Sequence, residues 1–99
     1  MDKYILKGHE PVICNSLMTW SSWFETANRH VDFTIIDDVK ISTVFLGLDH
    51  NYFNKGNPIL FETMIFGGKF DEYQDRCSTW EQAEKMHLRA VIKVENNKS

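Results

Sequence analysis

An α+β domain, a small antiparallel β-sheet with two helices packed on it, is the fold class this 99-residue sequence predicts. Three observations carry the assignment. Val31 to Ile36 alternates side chains with the period of a half-buried strand. Leu17, Trp20, Trp23, Phe24 and Ala27 recur at helical spacing. Ser78-Thr79-Trp80-Glu81 has the form of a capping box ahead of a second helical stripe. The element order is about ββ-α-βββ-α. A chain this short has room for one core, so residues 1–95 read as a single domain and 96–99 as a disordered tail.

Residues 4–7 and 10–14 read as short extended pieces around Gly8-His9, with Pro11 favouring an edge position. Asn15 or Ser16 caps the first helix, and Ser21, Ser22 and Glu25 fall opposite its apolar side. Asn28-Arg29-His30 closes it. Val31, Phe33 and Ile35 alternate with Asp32, Thr34 and Ile36, and Asp37-Asp38 makes a tight turn. Val39 to Leu48 begins by alternating, but Val44, Phe45, Leu46 and Leu48 leave neither face polar. That pattern fits a strand covered on both sides, or one whose end passes beneath a helix. Asp49 to Pro58, rich in Asn, Gly and Pro, is a loop. Ile59 to Phe66 is the next strand, stopped by Gly67-Gly68, and Lys69 to Cys77 is a polar loop carrying Phe70 and Tyr73. In the last helix Trp80, Ala83, His87, Ala90, Val91 and Val94 trace one face.

The totals narrow the function. Formal net charge is -3 and no Lys/Arg run occurs, which removes the footprint of non-specific nucleic-acid binding. The acids are dispersed, so a DNA-mimicking face is not indicated. Met1-Asp2-Lys3-Tyr4 lacks the apolar core of a signal peptide, and no apolar run approaches membrane-spanning length. The expectation is a cytoplasmic protein with no membrane partner. Cys14 and Cys77 are too few for a disulfide framework and read as thiols filling small apolar positions. Seven Phe, three Trp and three Tyr supply large buried areas, with rings left over for a partner surface.

Several segments together carry a resemblance. They are Gly8-His9-Glu10-Pro11-Val12, Thr19-Trp20 with Trp23-Phe24-Glu25, and Ser42 through Asn51 (STVFLGLDHN). Leu60-Phe61-Glu62-Thr63-Met64, Phe66-Gly67-Gly68 and Thr79-Trp80-Glu81-Gln82-Ala83, with His87 behind, complete the set. Over nearly its whole length the chain resembles an uncharacterised family of small proteins encoded by tailed bacteriophages and prophages. The resemblance implies a phage accessory protein acting in a host bacterial cytoplasm. Such proteins often bind and inactivate a host factor or trap an immune signal, which makes this one a counter-defence factor by implication.

Candidate chemistry collects at few positions. Asp49-His50-Asn51 stands where a strand ends, a common place for binding groups; equally, Asp and Asn there are ordinary turn chemistry. Glu62 sits between Leu60, Met64 and Phe66 on one strand face, so it needs a partner, for which Arg76, His50 and His87 are candidates. His87 lies within an apolar stripe and reads first as a satisfied core histidine, second as part of a pocket with Glu62. Asp49, His50, Glu62 and His87 could be drawn as a zinc site, yet no short ligand spacing supports it, and no metal or cofactor is expected. Neither cysteine sits in an activating motif, no serine lies in a nucleophile elbow, and Gly67-Gly68 is not a phosphate loop.

Tyr52 and Phe53 in the long loop, and Phe70 to Arg76, place rings beside charges, as interfaces and nucleobase pockets do. These residues support a non-catalytic binder of a host protein or of a small nucleotide-like ligand. Asp49, His50, Asn51, Tyr52, Phe53, Glu62, Arg76 and His87 form its surface, with His50, Glu62 and His87 in one neighbourhood. Leftover apolar surface adds the expectation of a homo-oligomer. The alternative is a small acid/base hydrolase using Glu62 with His50 or His87.

Overall fold

A computed structural model describes residues 1–53 and 55–97. Strands β1 (Tyr4–Lys7) and β2 (Glu10–Ile13) form a hairpin over Gly8-His9. Helix α1 (Leu17–Thr26) follows, with Ser16 as N-cap: its hydroxyl accepts from the Thr19 amide. Strands β3 (His30–Ile36), β4 (Val39–Phe45), β5 (Phe61–Phe66) and β6 (Gln74–Cys77) form an antiparallel meander in the order β3-β4-β5-β6. Helix α2 (Trp80–Asn96) lies across all four of these strands. The α+β class and the order of elements are those the sequence predicts, with the extra strand β6 inside the segment read as a polar loop.

The differences have local causes. Gln74 to Cys77 has no apolar alternation to announce a strand; β6 exists because it borders β5, pairing Glu62 with Arg76 and Thr63 with Asp75. The capping box is shifted by one residue from the expected Ser78/Glu81. Thr79 is the N-cap and Gln82 reciprocates, its amide oxygen accepting from the Ser78 and Thr79 amides. Asn96, read as the start of a disordered tail, is helical, with Asn97 as C-cap; Lys98 and Ser99 lie outside the described residues. β4 ends at Phe45, and the chain reaches Leu48 only as an isolated bridge to Lys3.

One face of the four-stranded sheet is buried under α2. Ile41, Phe45, Phe61 and Ile65 are fully buried there beneath Ala83, Met86, Ala90 and Val94. This core has two apolar clusters, one around Ile36, Ile41, Ile65, Ala90 and Val94, the other around Phe45, Leu60, Phe61, Ala83 and Met86. Trp23 of α1 joins the second cluster, edge-on to Phe45 at 5.8 Å between ring centroids.

On β3 the buried face is the one carrying Asp32, Thr34 and Ile36, because a bulge between His30 and Asp32 shifts the register. Phe33 and Ile35 therefore face outward, 48% and 58% exposed. That reverses the orientation the alternation suggests, in which the more apolar set faces the core. On the same outer face stand Val44, Met64, Phe66, Lys40 and the Glu62–Arg76 pair.

The stretch after β4 is a junction of three elements. The Gly47 carbonyl accepts from the Tyr4 amide at 2.8 Å and from the Trp20 indole N–H at 3.1 Å, tying hairpin and α1 to the end of β4. Gly47 has φ +79, and a Cβ there would come within 2.9 Å of Phe24, whose ring is held between Trp20 and the Arg29 guanidinium. The apolar end of Val39–Leu48 thus passes beneath a helix. Gly47→Ala combines a left-handed conformation with a contact that cannot relax freely. We expect it to lower stability by roughly 2 kcal/mol or more, read as a reduced urea midpoint with the slope unchanged.

Candidate functional site

His87 is 2% exposed and sits between the two apolar clusters, level with Thr43 of β4 and Thr63 of β5. Its Nδ1 is 2.7 Å from the Thr43 hydroxyl, which is 2.5 Å from the Thr63 hydroxyl; its Nε2 is 2.8 Å from the Thr34 hydroxyl. The proton count selects a tautomer. With hydrogen on Nε2, Thr63 donates to Thr43, Thr43 donates to Nδ1, and Nε2–H donates to Thr34, so every fully buried hydroxyl proton is used. With hydrogen on Nδ1, the Thr43–Thr63 chain reverses and the Thr63 proton has no acceptor among the described residues. The Asp32 carboxylate, 3.7 Å from Nε2, also favours the first form.

Burial pushes the His87 pKa below the ordinary imidazole value, the nearby Asp32 opposing it weakly. An imidazolium would have to donate from both nitrogens and would strand the Thr63 proton. His87 is therefore a neutral structural group, the satisfied core histidine of the first reading.

Glu62 lies on the opposite side of the sheet. Its Oε2 accepts from Arg76 Nε at 2.9 Å and from Gln74 Nε2 at 2.6 Å, directly across the β5–β6 ladder. Of the three expected partners, Arg76 is the one it has. Since neighbouring Thr63 points to His87, Glu62 and His87 are separated by the sheet itself.

The Asp49-His50-Asn51 trio organises its own loop. The Asp49 carboxylate accepts from the Asn51 and Ile59 amides, and the Asn51 side chain donates to the Lys55 and Asn57 carbonyls. His50 Nδ1 is 2.8 Å from the Leu48 carbonyl. This is the turn reading, with both ends of the loop laced to its middle. The expected convergence of His50, Glu62 and His87 is accordingly overturned: the residues sit on a loop, on the outer face and in the core, with no bond among them. Nor do any three His, Cys, Asp or Glu side chains converge as a metal site among the described residues.

What the fold does present outward is apolar. Phe33, Ile35 and Phe66 (46% exposed) stand on the outer sheet face, while Tyr52 and Phe53 tip the long loop at 61% and 85%. Phe70 and Tyr73 instead fold back on the core under Lys93. Phe33, Ile35 and Phe66 escape a sequence reading because period-two patterning marks two faces without saying which one a helix covers. The unequal pairing at the β3 bulge is visible only in three dimensions.

A concavity of about 280 Å³ lies between the β1–β2 turn, Asn57-Pro58 and the start of α2. His9 stacks flat on Trp80 there, 3.8 Å between centroids, and the Trp80 indole N–H is buried without a partner among the described residues.

His87 gives a pH test. The unfolded state takes up a proton near pH 6.5 and the folded state only at lower pH, so this contribution is complete above about pH 7 and lost as pH falls through that window. We expect stability to fall as pH drops below about 7, with a slope from this group no steeper than about 1.4 kcal/mol per pH unit, and His87→Gln to flatten the profile in urea melts.

Compared with known proteins, the chain matches no family model, no curated protein and no solved structure.

Proposed function

We propose that this chain is a non-catalytic protein-binding domain that uses the outer face of its four-stranded sheet. One observation carries the reading. Phe33, Ile35 and Phe66 lie on one sheet face together with Val44 and Met64, each of the three about half exposed in a domain small enough to need every buried ring. Exposed contiguous apolar surface rimmed by polar groups marks protein contact sites. Here Lys40 and Ser42 of β4 stand between Phe33 and Ile35 on one side and Met64 and Phe66 on the other, the Glu62–Arg76–Gln74 cluster borders the face toward β6, and Tyr52 and Phe53 lie on the loop that joins β4 to β5. Aromatic anchors beside an arginine are the composition of interface hot spots.

In this reading Arg76, Glu62, Tyr52 and Phe53 contribute to contact, Asp49 and Asn51 hold the loop, and His87 holds the core. The partner proposed from the phage resemblance is a protein of the bacterial host, inactivated by being covered, in the host cytoplasm. Self-association belongs to the same reading. A nucleotide-like ligand is less well supported, since the Trp80 face that could stack a base is occupied by His9. The hydrolase alternative lacks support from geometry, because Glu62 Oε2 already accepts two hydrogen bonds and both imidazoles are engaged elsewhere.

The test is affinity capture from bacterial lysate, with amide-exchange protection mapped on the captured complex. Phe33→Asp with Phe66→Asp should abolish capture of a partner that the wild type retains, and protection should fall on β3 to β5. Tyr52→Ala with Phe53→Ala should weaken capture about tenfold. Unchanged capture by the first pair, or protection confined to α2, would refute the assignment.

A further inference from the structure

We infer that β1, β2 and α1 form a strap that unfolds as a unit while β3–β6 and α2 stay folded, uncovering a surface that the closed molecule conceals. The inference does not rest on the binder reading, which uses the outer face of the sheet.

Burial is divided unequally along the chain. Cys14 is the one buried residue described before Ile36; the others lie in β3, β4, β5, the adjoining Leu60 and α2. None of the ten residues of α1 is buried. Both apolar clusters and the His87 hydrogen-bonded row therefore belong to the sheet and α2, which keep their core when the strap is away. The strap has no core of its own. A two-stranded hairpin and a ten-residue helix are each marginal in water once detached, so for the strap leaving the sheet means unfolding.

A short seam at the end of β4 holds the strap. The Gly47 carbonyl accepts from the Tyr4 amide at 2.8 Å and from Trp20 Nε1 at 3.1 Å, and the Asp2 carbonyl accepts from the Asp49 amide at 3.0 Å. Trp20 Nε1 also donates to the Tyr4 carbonyl at 3.1 Å, so one indole ties α1, β1 and the sheet together. Tyr4, Leu6 and Trp23 pack half-buried against the second cluster, and His9 lies flat on Trp80. The hinge is Ala27-Asn28. Arg29, the next residue, is fixed to the sheet: its carbonyl accepts from the Phe45 amide at 2.8 Å and its Nη1 donates to the Phe45 carbonyl at 3.0 Å. A unit with few buried apolar groups opens at lower free energy than the core it covers. Opening frees the Gly47 carbonyl and the Asp49 amide, and bares Phe45 and Trp80 where Trp23 and His9 meet them. The result is apolar surface beside open backbone groups, at the end of the sheet.

The test is native-state amide exchange by NMR at increasing urea below the unfolding transition, under conditions where exchange reports the opening equilibrium. The Tyr4 and Cys14 amides report the strap; the Leu60 and Ile65 amides, bonded to the Cys77 and Tyr73 carbonyls, report the body. In wild type the strap amides should exchange about a hundredfold faster than the body amides, with a shallower dependence on urea. Trp20→Phe, which keeps a ring and removes the indole donor, should speed the strap amides about tenfold further and leave the body amides unchanged. Ala90→Gly, in the buried face of α2, should do the reverse, speeding the body amides about tenfold and sparing the strap. Convergence of the two sets on one rate and one urea slope would overturn the inference, as would equal acceleration of both sets by either variant.

Discussion

The structure depends on a polar layer inside an apolar core. Thr63, Thr43, His87 and Thr34 form one hydrogen-bonded row between two hydrophobic clusters, crossing from β5 through β4 and α2 to β3. A buried imidazole is tolerated only if both nitrogens are satisfied. That requirement fixes where α2 sits along the sheet and how it is rotated, because a shift by one residue would leave His87 and Thr34 unpaired and one hydroxyl proton of the Thr43–Thr63 pair without an acceptor. Hydrophobic burial alone would accept several neighbouring placements of the helix; the polar row accepts one.

From that placement follows the division of the molecule into a covered face and an open one. With α2 committed to the side carrying Thr43 and Thr63, their strand neighbours Ser42, Val44, Glu62 and Met64 must point the other way. The carboxylate and the imidazole that together suggest acid/base chemistry are thereby put on opposite sides of a sheet. Glu62 meets Arg76 and Gln74 across the ladder and is neutralised there. These polar side chains hold strands and loops together.

The loop from Asp49 to Ile59 shows the same economy. Asp49 accepts from the Asn51 and Ile59 amides and Asn51 donates to the Lys55 and Asn57 carbonyls, so these described residues are tied together without a core of their own. Gly47, just before it, lets α1 and the β1–β2 hairpin close onto the end of β4.

Local patterns were enough to establish the α+β class, the order of the elements other than β6, the N-cap region of both helices and the turn chemistry of Asp49 and Asn51. Those features depend on neighbours within a few residues, which the sequence displays directly. The pairing of Glu62 with Arg76 was legible as a need for a partner, and that of β6 with β5 was not legible at all, since nothing in Gln74–Cys77 alternates. Which side of β3 is buried, and whether positions 50, 62 and 87 meet, were decided by the tertiary structure. The reason is that a strand's alternation is symmetric between its faces until a helix covers one, and here the hydrogen-bonding needs of His87 chose the side bearing the threonines.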